Sequence, residues 1–120
     1  MVAMCYHARV EQQPSKRQGP AYGIETVRAI LADPSRCFVT HSAENDCYAL
    51  GLLASDIWEA MQELDQPRCE FYKRLDSSDR PGDVFDVYHV LIGLVVVYLK
   101  FKISIRKDGQ QIVVVSFKER

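Results

Sequence analysis

Residues Val97 to Ile105 read Val-Tyr-Leu-Lys-Phe-Lys-Ile-Ser-Ile, a strict alternation of apolar and polar side chains. In a strand successive side chains point to opposite faces, so Val97, Leu99, Phe101, Ile103 and Ile105 share one face and Tyr98, Lys100, Lys102 and Ser104 the other. The first face can pack on a core. The second presents a phenol and two ammonium groups, which suits a phosphate-bearing partner. The run ends at Lys107-Asp108-Gly109-Gln110, and a second apolar run follows from Ile112. Asp-Gly is a tight-hairpin signal, so strands over 97–105 and 111–118 are expected to pair antiparallel.

The upstream half is helical in pattern. Ile24, Val27, Ile30 and Leu31 form one stripe, and Asp33-Pro34 stops it, which predicts a helix from about 24 to 32. Cys37-Phe38-Val39-Thr40 is short and β-prone. Ser42 is suited to cap a helix over 43–50 that Gly51 ends. Ser55 is suited to cap another, with Ile57, Met61 and Leu64 as its apolar stripe and Pro67 as its stop; Trp58 belongs to its packing. Residues 76–83 carry strong turn chemistry, Val84 to Tyr88 reads as a strand, and a turn is expected near Gly93. Helices first and a β-meander after them predict an α+β fold, with N-terminal helices packed on one face of a curved antiparallel sheet. Residues 1–20 are polar and broken by Pro and Gly, so they read as a flexible extension, with Cys5-Tyr6-His7 a tethered or frayed terminus rather than a small functional patch, before a single domain over 21–120.

A length of 120 residues suits one domain with a real core. The net charge of −1 conceals a division. Residues 98–120 hold six of the 15 basic residues (Lys100, Lys102, Arg106, Lys107, Lys118, Arg120) and two of the 16 acidic ones (Asp108, Glu119), a net of +4 against −5 for the rest. Such a chain is no bulk polyanion binder, and any contact with nucleic acid is local. Cys5, Cys37, Cys47 and Cys69 are too scattered for a zinc site or a secreted scaffold, so reduced thiols in a cytosolic protein are expected. The N-terminus lacks the apolar stretch of a signal peptide, and Val87 to Val97 is too short and interrupted to span a bilayer. Neither a metal nor another cofactor is expected.

The hairpin carries Tyr98 and Lys118 to the same end of the sheet; whether they share a face depends on register, which the pattern leaves open. On one face, they would offer a phosphate both a cation and a phenol. RNA cleavage by the RNA's own 2′-hydroxyl needs charge stabilised at phosphorus, a proton acceptor and a proton donor. Lysines supply the first, and a tyrosine can donate, or accept if neighbouring cations lower its pKa. His41 and His89 are possible proton carriers. Asp86 is better placed to orient or cap than to catalyse, because a carboxylate repels a scissile phosphate. Read alone, Lys73 is an exposed lysine after two aromatics and Lys118 a solvated strand end.

From about Ile24 to Arg120 the chain resembles the motility quorum-sensing regulator family of bacterial toxins. The resemblance lies in Val39-Thr40-His41-Ser42-Ala43, Leu50-Gly51-Leu52, Glu70-Phe71-Tyr72-Lys73, Asp86-Val87-Tyr88, Val97-Tyr98-Leu99-Lys100 and the closing Ser116-Phe117-Lys118-Glu119-Arg120. It implies a RelE-like fold and a toxin of a type II toxin–antitoxin system. It also implies metal-independent cleavage of mRNA to a 2′,3′-cyclic phosphate, with a preference for GC-containing triplets. The implied partners are mRNA and a cognate antitoxin protein, with no membrane and no DNA contact by the toxin alone. The family's catalytic lysine, tyrosine and second lysine fall on Lys73, Tyr98 and Lys118. Arg74, Phe85 and Lys100 are then expected to bind RNA. The family carries glutamine where this chain has Phe85. A phenylalanine cannot make an amide's hydrogen bonds but can stack on a base. That departure leaves a second reading, a relative that binds RNA or protein without cleaving.

Overall fold

The computed structural model describes residues 19–77 and 79–120. Most of the expected extension, with Cys5-Tyr6-His7, lies outside them. Helix α1 spans Ile24–Leu31, buries Val27, Ile30 and Leu31, and gives way at Asp33-Pro34 to a 3₁₀ turn, Pro34–Arg36. Strand β1, Cys37–Val39, follows. Helix α2 is His41–Ala49, two residues earlier at its start than the Ser42 cap predicts. The cap is Thr40, whose Oγ1 accepts from the Ala43 amide at 3.2 Å. Thr40 leaves β1 with extended backbone, the conformation an N-cap requires, so it takes the role first. Helix α3 is Ala54–Gln62. It begins ahead of Ser55 because the Asp56 carboxylate reaches back to the Leu53 amide at 2.8 Å, and it ends well before Pro67. Leu64 is buried all the same, in the turn beyond. No helix of the described residues is long and apolar enough to cross a membrane.

Four strands form the expected meander: β2 (Cys69–Asp76), β3 (Val84–Ile92), β4 (Val95–Arg106) and β5 (Gly109–Glu119). Strand β2 has no clean alternation to announce it, and β3 continues four residues beyond Tyr88 to a turn at Gly93, whose φ of +63° a side chain would strain. The sheet order is β1-β5-β4-β3-β2. The sheet is mixed rather than wholly antiparallel, because β1 runs parallel to β5, with Cys37 opposite Ile112 and Val39 opposite Val114. The chain enters at the outer edge of β5, crosses one face as α2 and α3, and returns at the far edge as β2.

The helices cover one face, where the core lies. Val97, Leu99 and Phe101 are fully buried there, as the alternation predicts, with Ile57, Met61, Ile112 and Phe117 against them. Burying each such side chain contributes about 1.5–3 kcal/mol. The same alternation fails at its far end. Ile103 is only partly buried and Ile105 is 80% exposed, because β4 there runs past the helices to its turn.

Candidate functional site

Among the described residues no helix lies over the opposite face of the sheet, and its chemistry is set by the register of β4. Lys100 sits in a row that reads Lys73, Val87, Lys100, Ser116 across β2, β3, β4 and β5. The neighbouring row reads Glu70, His89, Tyr98, Lys118. Directly opposed residues share a face, so Tyr98 and Lys118 do lie together.

Both outer lysines owe their face to a β-bulge. In β2, Phe71 opposes Tyr88 but Lys73 opposes Val87, which leaves Tyr72 as the extra residue. Without it Lys73 would oppose Asp86 and turn toward the helices. In β5, Lys100 opposes Ser116 but Phe101 opposes Val114, which leaves Val115 as the extra residue. That one-residue step carries Phe117 into the core and Lys118 onto the open face.

Aromatic rings lie among the lysines. Tyr72 stacks on His89 with ring centroids 4.3 Å apart, and His89 lies 6.4 Å from the Tyr98 ring. The Lys118 Nζ is 5.6 Å from the Tyr98 ring centroid, and the Lys73 Nζ is 5.1 Å from that of Tyr72. The Phe85 ring is faced by two ammonium groups, Lys100 at 4.7 Å and Lys102 at 5.7 Å. It therefore meets cations where the sequence suggested a base. Lys102 is neutralised by Asp83, Nζ to Oδ2 at 2.7 Å, whereas Lys73, Lys100 and Lys118 form no ion pair among the described residues.

Burial, and after it the charges of Lys118 and Lys73, pushes the Lys100 ammonium below the ordinary lysine range. Burial raises the Tyr98 phenol, helped by Tyr72. Of the two roles open to a tyrosine here, the condition for acting as a base, a pKa lowered by neighbouring cations, is not met. Beside the His89 end of the row is a cleft of about 480 Å³ lined in part by Arg68, Glu70, His89 and Arg120.

Arg74 is not part of this face. It pairs with Asp86 in register, and its Nη2 donates to the carbonyls of Gly19 and Pro20 at 3.2 and 3.3 Å. The cause is the Tyr72 bulge: once Lys73 faces outward, Arg74 must face the helix side. Its expected role in binding RNA gives way to one of holding the segment before α1. Asp86 works with it, accepting from the amides of Ala21 and Tyr22 at 2.8 and 2.9 Å, in keeping with the capping role expected of it. His41 opens α2 in the helix layer, on the far side of the sheet from the lysines. Pattern reading overlooked Tyr72, whose only signal was its place in the Phe-Tyr-Lys block.

A family model described as "Motility quorum-sensing regulator, toxin of MqsA" matches residues 19–119. No curated protein and no solved structure matches the chain.

Proposed function

The chain belongs to the motility quorum-sensing regulator family, toxins that pair with the antitoxin MqsA, and from that premise we propose that it is an endoribonuclease that cleaves mRNA without a metal ion. As a toxin of this family its protein partner is a cognate antitoxin. Residues 21–120 form its toxin domain, RelE-like in fold, and it acts in the cytoplasm. The observation that carries the reading is the convergence of three lysines, Lys73, Lys100 and Lys118, around Tyr98 on one sheet face, none of them ion-paired among the described residues.

The reaction is attack of a ribose 2′-oxygen on its own 3′-phosphate. A bond forms from O2′ to phosphorus, the bond from phosphorus to O5′ breaks, and the products carry a 2′,3′-cyclic phosphate and a 5′-hydroxyl. Lys73 and Lys118 hold the phosphate and stabilise the charge that builds on its oxygens. Tyr98, kept protonated, gives its proton to the departing O5′. The cleft beside His89 accommodates a flanking nucleotide, with Arg120 near its phosphate, since Arg68 is already paired with Glu63 at 3.0 Å.

The test is incubation of purified protein with synthetic mRNA in EDTA and identification of the product ends. Cyclic phosphate ends are expected, with at least about 100-fold slower cleavage by the Lys73→Ala, Lys118→Ala double variant. Equal rates from that variant would remove both lysines from the mechanism. Phe85 in the amide's place favours one alternative, a relative that binds RNA without cutting it. Retention of intact RNA by the wild-type protein would select that alternative.

A further inference from the structure

Lys100 occupies the middle of the lysine face. It projects from the central strand, with β3 and β5 on either side, and its register partners are Val87 and Ser116. Val87 is fully buried although it belongs to this face and not to the main core, so the base of the Lys100 side chain stands on an apolar floor. Phe85, diagonal to Lys100 across β3, presents its ring 4.7 Å from the Nζ. Lys102 shares that ring but is tied to Asp83, with side chains 14% and 30% exposed. Among the described residues Lys100 has no such counter-charge, and both flanking lysines oppose its protonation.

We propose, building on the ribonuclease reading, that Lys100 is the proton acceptor for the attacking 2′-hydroxyl and that Phe85 is its positioning residue. The proton passes from O2′ to the Nζ as the bond from O2′ to phosphorus forms. The ammonium so created sits over the negative face of the Phe85 ring, where it is attracted. It also lies beside a phosphoryl group gaining negative charge. A lysine suits the role because burial and like charges shift it readily toward its neutral form. The charged and titratable groups around it are Lys73 from β2, His89 from β3, Tyr98 and Lys102 on β4, and Lys118 from β5, with Asp83 beyond Lys102. An apolar ring in the position of an amide is then no loss of function. It supports a base where an amide would have made hydrogen bonds.

The test follows kcat against pH at saturating synthetic mRNA in EDTA, for wild type, Lys100→Arg, Phe85→Leu and Phe85→Trp. The wild-type kcat is expected to rise with pH as Lys100 loses its proton. Arginine keeps the charge but cannot serve as a base, so Lys100→Arg should lose about 100-fold or more in kcat with KM little changed. Phe85→Leu keeps apolar bulk but removes the ring. The ammonium is then less stabilised, so the rising limb should move to lower pH and the plateau should fall about tenfold, the weaker base being slower. Phe85→Trp should return the limb toward its wild-type place, and carries the test alongside Lys100→Arg if the leucine variant does not fold. Lys100→Arg retaining more than a third of wild-type kcat would overturn the assignment, as would limbs that coincide in all Phe85 variants. A wild-type protein that fails to cleave would instead defeat the ribonuclease reading beneath it.

Discussion

Tyr98 and Asp86 are both ionisable and both shifted upward chiefly by burial, yet they serve opposite faces of the sheet. For Tyr98 the shift favours the proton-donor role proposed above. Removing only the hydroxyl, as in Tyr98→Phe, should lower kcat about 100-fold, and the deficit should stay constant between about pH 6 and 9.5. A deficit that widened with pH would mean that the ionised phenol does the work. For Asp86 the shift shows that burial outweighs its two amide hydrogen bonds and the nearby Arg74 charge. The folded state therefore holds this proton more tightly than the unfolded chain does. The carboxyl's contribution to stability is greatest below about pH 4 and declines as pH rises through the folded-state value. The Asp86→Ala variant strands the Ala21 and Tyr22 amides and should cost about 2–4 kcal/mol in urea denaturation near pH 7. A cost under about 1 kcal/mol would show that the segment before α1 is held by other contacts.

Strand β5 sets the two kinds of role side by side. Phe117 is fully buried in the core and Lys118, the next residue, is exposed on the open face. Phe117→Ala should cost about 3–5 kcal/mol. Lys118→Ala should change stability by less than about 0.5 kcal/mol, on the favourable side because it relieves repulsion with Lys100, yet slow RNA cleavage severely. Thermal unfolding and cleavage rates of the two variants separate these outcomes; comparable losses of stability would place Lys118 in the fold rather than the site. The strand also marks how far sequence alone could reach. The hairpin was legible because period-2 alternation and an Asp-Gly turn are local signals. The shared face of Tyr98 and Lys118 was not, because Val115 inserts a step that no local pattern reveals among three consecutive valines. The Tyr72 bulge hid more: it turned Lys73 outward and Arg74 inward, so two adjacent cations, one expected to be catalytic and the other to bind RNA, lie on opposite faces. Helix starts were displaced for a related reason, since Thr40 and Asp56 outcompeted nearby serines through backbone geometry set by their neighbours.

Across the molecule, charge and architecture divide along the same line. The helix-rich part carries the acidic excess and covers the core face, while the last two strands concentrate basic residues around a face left open. Long-range attraction of RNA is therefore weak, because the chain's net charge is −1, and affinity must come from contact with a few unpaired lysines. Lys102 is largely spent on Asp83. Two phosphate contacts to a single strand, from Lys73 and Lys118, imply that log affinity falls with log salt at a slope of about −1.4, or about sevenfold between about 50 and 200 mM. Fluorescence anisotropy with a 2′-O-methyl RNA, which cannot attack its own phosphate, measures this without cleavage. Replacing Lys73, Lys100 and Lys118 together with alanine should bring the slope close to zero. A wild-type slope steeper than about −4 would instead require a footprint beyond these lysines, and the cleft that Arg120 lines is one place on this face that could supply it.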